Sequence, residues 1–127
     1  LADPRRLQRS FRDGLWVRLV DVRQCLELRR YSQSDRLVLE VRDDLCPWNE
    51  GRFDLNGSLE GATCQASDSS PDLVLPVAAL ASVYMGAVSF STLSQAGLID
   101  ERTPGALRRA DCMFAVQHQP WTPTNFW

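Results

Sequence analysis

The last nine residues of the sequence carry the groups best suited to chemistry. Residues 119–127 combine three aromatic side chains, Trp121, Phe126 and Trp127, with two prolines. Most chain ends are frayed and poorly ordered. Each proline fixes its own φ and favours an extended residue before it, so this segment loses less entropy when it docks. We therefore predict a docked tail that holds the α-carboxylate of Trp127 in one place.

Two interpretations of the docked tail remain open. The tail either packs on its own domain, or it carries its carboxylate into a neighbouring domain to bind a ligand or do chemistry. A free α-carboxylate has a pKa near about 3.5 and is a poor base in water. Burial beside Trp121, Phe126 and Trp127 would raise that pKa toward the range of an effective general base. His118, the one histidine, lies beside the tail and is a candidate for substrate contact.

The composition argues against several other classes of function. With 127 residues, 44% apolar and 24% charged, the chain fits one globular domain. A net charge of −2 provides no basic surface for nucleic acid or a membrane. No apolar run approaches the ~20 residues of a membrane span, and the first residues do not resemble a signal peptide. The four cysteines form no C-x-x-C pair, so we expect no metal site and reduced thiols in a cytoplasmic protein.

The elements that must position the tail follow from hydrophobic periodicity. Predicted strands lie at 15–20, 36–41, 52–55, 58–65 and 73–75, and predicted helices begin at Asp21, Pro76, Ser91 and Thr103. Asn56-Gly57 is a hairpin-turn signal, and residues 100–102 are a predicted loop. This order predicts an α+β fold, in which helices pack on one face of a five-stranded, mainly antiparallel sheet.

The same pattern predicts three parts of the chain. Residues 1–12 are a linker, residues 13–116 are the folded domain, and residues 117–127 are the docking tail.

Trp16 and Val20 lie on the same side of the first predicted strand. This side is opposite the one that carries Leu15, Val17 and Leu19. Such exposed apolar side chains predict a contact surface with another domain or subunit.

Several segments together resemble one known family, the C-terminal domain of enhanced-intracellular-survival (Eis) acetyltransferases. The resemblance covers essentially the whole chain, and the order and spacing of its motifs are more specific than any one motif. The motifs lie at residues 13–22, 30–31, 39–43, 49, 51, 80–90, 93, 96–97, 110–111 and 114, with a proline and a terminal aromatic residue after them. Residues 1–5 are similar to the junction that precedes this domain in the family, and the lack of an initiating Met suggests a piece of a longer chain.

The resemblance implies a sterol-carrier-protein-like domain that follows two GCN5-related acetyltransferase folds. A full-length member transfers acetyl from acetyl-CoA to an amine and is typically a hexamer. Its terminal carboxylate acts as general base, and a tyrosine elsewhere acts as acid. Of these groups only the carboxylate of Trp127 falls within this chain, where the family commonly ends in Phe.

Two further expectations and two alternative functions accompany this resemblance. The chain has no Gly-rich turn of the kind that binds a CoA pyrophosphate, so we expect it to bind no cofactor and to be inactive alone. The first alternative is a sterol, lipid or small-ligand carrier, which needs a tunnel between the sheet and the helices. The second alternative is a purely structural oligomerisation domain.

Overall fold

The structure, a computed structural model, describes residues 16–120. The predicted site residues Trp121, Phe126 and Trp127 therefore lie outside the described residues, whereas His118 lies within them. The strands are β1 (Asp35–Arg42), β2 (Gly51–Gly57), β3 (Ala62–Ala66), β4 (Leu73–Pro76) and β5 (Asp100–Glu101). The helices are α1 (Val22–Leu28), α2 (Val77–Tyr84), α3 (Phe90–Gln95) and α4 (Ala106–Phe114), with a short 3-10 turn at Pro47–Asn49. None of the described helices is long and apolar enough to cross a membrane.

The five strands form one sheet in the order β3-β2-β1-β4-β5. β1 pairs antiparallel with β2, and β2 with β3, as predicted. β4 pairs antiparallel with β5, whose residues were predicted to form a loop. β1 and β4 pair in parallel, which the sequence did not indicate. The prediction assumed that strands adjacent in sequence pair with each other. The connections between such strands are too short for a parallel crossover, so antiparallel pairing was expected throughout. Residues 43–72, including β2 and β3, form the connection between the two parallel strands.

The two faces of the sheet differ in chemistry because side chains alternate along each strand. Leu37, Leu39 and Val41 of β1 are fully buried in the core. Helices α1, α2 and α4 contact the strands, and their buried apolar residues belong to the same core. The opposite face carries ion pairs such as Arg36 with Asp54, at 2.6 Å. The fold is thus an α+β sheet with helices on one face, as the sequence predicts.

The predicted strand at 15–20 is wrong for the residues that the structure describes, since residues 16–20 form no strand. Their carbonyl groups bond to side chains rather than to a neighbouring strand. The amide of Asn49 donates to the carbonyls of Leu19 and Val20, and Trp48 Nε1 donates to the carbonyl of Val20 at 2.7 Å. The sheet still has five strands because residues 100–101, predicted to be a loop, pair with β4 as β5.

The hairpin turn lies later than Asn56-Gly57. Gly57 is the last residue of β2, and the turn forms at residues 58–61, where Ser58 N donates to the carbonyl of Gly61 at 2.8 Å. A Cβ atom at position 57 would lie 2.5 Å from Cδ2 of Tyr31. Glycine is therefore required here by the close approach of a buried ring rather than by a turn.

Helix starts are predicted well where a side chain caps the helix. Asp21 caps α1 as predicted, and its Oδ1 accepts from Gln24 N at 2.9 Å. The cap of α3 lies two residues before the predicted Ser91, because Ser89 caps the helix and accepts from Thr92 N. Phe90, the first residue of α3, anchors the helix in the core.

Candidate functional site

The described part of the chain ends in residues 115–120, which we call the tail root. They follow α4 directly and are all exposed, including the candidate substrate contact His118. His118 is the one candidate site residue that lies within the described part of the chain. Residues 121–127 begin where the tail root ends. The position at which the tail root leaves the domain therefore limits where the predicted chemistry can take place.

The last turn of α4 is held by the segment after α1. A helix leaves its final carbonyl groups without partners in the helix. Ser32 N donates to the carbonyl of Met113 at 3.0 Å, and the Ser32 hydroxyl donates to the carbonyl of Cys112. Arg29 Nη2 donates to the carbonyl of Phe114 at 2.8 Å. Three consecutive carbonyl groups are therefore bound, which fixes the direction in which the chain leaves α4.

Arg29 joins the ends of two helices. Its Nε donates to the carbonyl of Tyr84 at the end of α2 at 2.9 Å, while its Nη2 reaches α4. Helix C-termini carry partial negative charge, which favours a cation there. The guanidinium carbon also lies 4.5 Å from the ring centroid of Phe114 and 5.0 Å from that of Tyr31. Burial lowers the pKa of Arg29, although nearby Tyr31 and Tyr84 act in the opposite direction.

Replacing Arg29 with methionine should lower the free energy of unfolding by about 2 kcal/mol. Hydrogen bonds from a charged donor contribute roughly 1.5–3 kcal/mol each, and the sum is reduced here because the guanidinium group is partly exposed. Arg30→Met is the matched control, because the neighbouring side chain is exposed and should change stability by less than about 0.5 kcal/mol. Urea denaturation of both variants measures the difference. Equal stability of the two variants would show that Arg29 does not hold the helix ends together.

A cleft of about 500 Å³ adjoins the tail root. It is lined by residues 86–90, 92, 111, 114–116 and 119. Gly86 ends α2 with a φ of +83°, and a Cβ there would collide with the side chain of Val116. Asp111 is the one carboxylate among these lining residues, and it accepts from Phe90 N at 2.7 Å at the start of α3. This carboxylate therefore holds α3 in place, and the cleft presents polar and apolar surface in about equal measure.

The two tyrosines of the chain, Tyr31 and Tyr84, both have structural roles. The Tyr31 hydroxyl donates to the carbonyl of Leu26, and the Tyr84 hydroxyl donates to the carbonyl of Cys25, both at 2.8 Å. Burial raises the pKa of each phenol, against the lowering effect of Arg29. Both hydroxyl protons are thus engaged by backbone carbonyl groups, which is a structural role.

A second arrangement lies at the other end of the described chain. Arg18 Nη2 donates to both carboxylate oxygens of Asp43, at 2.7 and 2.8 Å. Asn49 Nδ2 donates to Asp43 at 2.9 Å, and Asn49 Oδ1 accepts from Val22 N at the start of α1. This network fixes residues 16–22 against residues 43–49.

The network has a consequence for the dependence of stability on pH. Burial opposes ionisation of Asp43, but hydrogen bonds from Asn49, Arg18 and two backbone amides outweigh it and hold the pKa of Asp43 well below its ordinary value. A carboxyl group with a lowered folded-state pKa stabilises the fold above its unfolded pKa, about 3.9, and loses that contribution as the pH falls further. Asp43→Asn should therefore be less stable than the parent at pH 6, and the difference should narrow at pH 2.5. Asp44→Asn, at an exposed neighbour, is the control, and denaturation at both pH values measures the effect.

Sequence reasoning missed the roles of Arg29, Asp43 and Asn49. Arg29 follows the end of α1 at Leu28, and Asp43 follows the end of β1 at Arg42, positions that carry no obvious sign of a role in the core. The contacts that define these roles join residues 25 to 85 positions apart in sequence. The dense mixture of Asp, Asn, Pro and Trp at 43–49 was the available signal for an ordered connection.

Comparison with known proteins gives a family and a set of larger relatives. Residues 22–123 match the family model of the sterol carrier protein domain. An N-acetyltransferase from Streptomyces avermitilis is 45% identical over 126 residues, which are 99% of this chain and 31% of that protein. The N-acetyltransferase Eis of Mycobacterium tuberculosis is 34% identical over 91% of this chain and 28% of its own length. The crystal structure of Eis1 from Mycobacterium abscessus superposes with a TM-score of 0.81 at 41% identity, covering 91% of this chain and 28% of that one. The chain thus spans about a third of the length of the relatives that it matches.

Proposed function

Because the chain belongs to the family of sterol carrier protein domains and matches about a third of Eis-type N-acetyltransferases, we propose that it is the C-terminal domain of such an enzyme. The enzyme uses acetyl-CoA as acetyl donor and an amine as acceptor. This domain supplies assembly contacts and, through Trp127, a carboxylate that acts as general base. The acetyltransferase domains lie outside this chain, so the chain alone is inactive and binds no CoA.

The observation that carries the proposal is the fixed end of α4, from which the tail root departs. Arg29 and Ser32 bind the last carbonyl groups of α4, so residues 115–120 leave the domain from a defined place. Seven residues follow Pro120, and an extended chain of that length reaches roughly 25 Å. That reach is sufficient for the terminal carboxylate to enter a site in an adjacent domain.

The carboxylate of Trp127 has a defined part in the reaction. It removes a proton from the amine nitrogen as that nitrogen attacks the carbonyl carbon of the thioester. The new C–N bond forms, the C–S bond breaks, and the CoA thiolate takes a proton from a tyrosine outside this chain. The rings of Phe126, Trp127 and Trp121 surround the carboxylate and raise its pKa, since apolar surroundings disfavour the charged form. His118 and these rings also contact the amine substrate.

The proposal also covers the assembly and location of the enzyme. The full polypeptide acts in the cytoplasm as a homo-oligomer, a hexamer by resemblance to its family, and binds neither nucleic acid nor membrane. The cleft beside the tail root lies at the ends of α2 and α4, whereas the space between sheet and helices is filled by core side chains such as Leu26, Leu39 and Leu80. This packing favours the acetyltransferase role over that of a lipid carrier.

The experiment that tests the proposed function is an acetyl-transfer assay of the full polypeptide with acetyl-CoA and a panel of amines, with and without the last residue. Activity of the intact polypeptide that depends on the position of its terminal carboxylate would support the proposal. A full polypeptide that transfers no acetyl group to any amine would overturn it.

A further inference from the structure

The segment 16–20 and the connection 43–49 carry an exposed apolar surface that residues 16–120 leave uncovered. Trp16 is 85% exposed, Leu45 72%, Trp48 64% and Val20 61%. We call these four residues the entry patch. Single exposed apolar residues are common, but four on two adjoining segments, two of them tryptophans, are characteristic of an interaction surface.

The two segments of the entry patch form one rigid platform. Trp48 Nε1 donates to the carbonyl of Val20 at 2.7 Å, which places the indole against the backbone of the other segment. Arg18 and Asn49 bind Asp43, and Leu45 N donates to the same carboxylate at 3.0 Å. A preformed platform loses little conformational freedom when a partner binds to it. The Trp48 indole is therefore held in place without being buried, which is an arrangement suited to docking.

We propose that the entry patch is the surface on which this domain docks against the acetyltransferase part of the same polypeptide. This rests on the proposed function, which places the acetyltransferase part before residue 1. About two thirds of the length of the relatives is not covered by this chain, and any preceding polypeptide reaches the described domain at Trp16, beside the patch. A partner joined to the domain through the fifteen residues before Trp16 meets this surface at a high effective concentration.

The charges around the entry patch define the chemistry of the docking partner. Three acidic residues next to the patch are exposed. Asp21 follows Val20, Asp44 precedes Leu45, and Glu50 follows the Pro47–Asn49 turn. An interface typically combines an apolar centre with a polar rim. Arg18 and Arg42, beside the same residues, are also exposed, so the matching surface on the acetyltransferase part is apolar at its centre and carries charges of both signs at its edge.

The test uses the full polypeptide and two substitutions, Trp16→Glu and Leu45→Glu, together. The substitutions remove no side-chain hydrogen bond from the described structure. Leu45 donates only through its backbone amide, which the change to glutamate keeps. Leu59→Glu is the matched control, because Leu59 is 62% exposed at the turn beyond β2, at the opposite end of that strand from Asn49. Small-angle X-ray scattering and trypsin cleavage at the arginines of residues 1–12 report the position of the domain.

We expect the double variant to show a larger radius of gyration and about tenfold faster release of the domain by trypsin, with the control unchanged, because cleavage follows the population of the undocked form. Equal radii and equal release rates in the double variant and the parent would overturn the proposal. Loss of oligomers without faster release would also overturn it, since the occupant would then be a second copy of the chain. An assay for acetyl transfer on the parent polypeptide separates failure of the proposed function from failure of this inference.

Discussion

Removal of Trp127 from the full polypeptide should lower kcat for acetyl transfer by about 10²–10⁴-fold, the usual contribution of a positioned general base. The truncated chain still ends in a carboxylate, but that group is displaced by roughly 3.5 Å, the length of one extended residue. Such a displacement takes it out of hydrogen-bonding reach of the amine. KM for the amine should change less than kcat, because proton removal stabilises the transition state rather than the bound substrate.

Two variants separate the position of the carboxylate from the identity of the last side chain. Adding one glycine after Trp127 should lower kcat by a similar factor, since the carboxylate is again displaced. Trp127→Phe should retain most activity, because the carboxylate stays in place and an aromatic ring remains. The rate of the parent should also fall at acidic pH as the carboxylate takes up a proton, and the truncated chain should lose this dependence. If truncation leaves kcat and its pH profile unchanged, the general base lies elsewhere.

Replacing Gly57 with alanine should destabilise the domain by about 3 kcal/mol, the upper part of the usual range for overpacking. The added Cβ would lie 2.5 Å from Cδ2 and 2.7 Å from Cγ of Tyr31, a separation that real structures do not tolerate. The ring has little freedom to move. Tyr31 is 1% exposed, its hydroxyl bonds to the carbonyl of Leu26, and its ring packs edge-on against Phe114 with centroids 5.1 Å apart.

A double-mutant cycle tests this explanation. In a Tyr31→Leu background the same Gly57→Ala change should cost less than about 1 kcal/mol, because the ring that blocks the Cβ is gone. Gly61→Ala is the control, since a Cβ at Gly61 would meet nothing within 4 Å. Urea denaturation of the single and double variants gives the coupling energy. Equal costs for Gly57→Ala in the two backgrounds would show that the contact with Tyr31 is not the cause.

Sequence reasoning succeeded where the determining interactions are local. The cap at Asp21 lies three residues from the amide that it binds, and the alternation of Leu37, Leu39 and Val41 identified β1 and its buried face. The α+β class and the single covered face of the sheet followed from such patterns. The family resemblance, drawn from motif order across the chain, agrees with the sterol carrier protein match over residues 22–123.

The features that could not be predicted depend on contacts between distant parts of the chain. Alternation at 15–20 has the period of a strand, but Asn49 and Trp48 take the carbonyl groups that a neighbouring strand would need. Gly57 follows an asparagine, as in a hairpin turn, but a glycine is needed here because the ring of Tyr31 occupies the space of a Cβ atom. For the candidate site, the sequence indicated the tail and His118. It gave no sign that Arg29 binds the carbonyl groups of Tyr84 and Phe114.

The parallel pairing of β1 with β4 also determines how the domain folds. Strands β1, β2 and β3 follow one another closely and pair as neighbours, so they can assemble through short loops. β4 must then find β1 across residues 43–72, which raises the contact order and the entropy of loop closure. We therefore expect the three-stranded unit to form early in refolding, while β4 and the helices that follow it acquire protection from hydrogen exchange later.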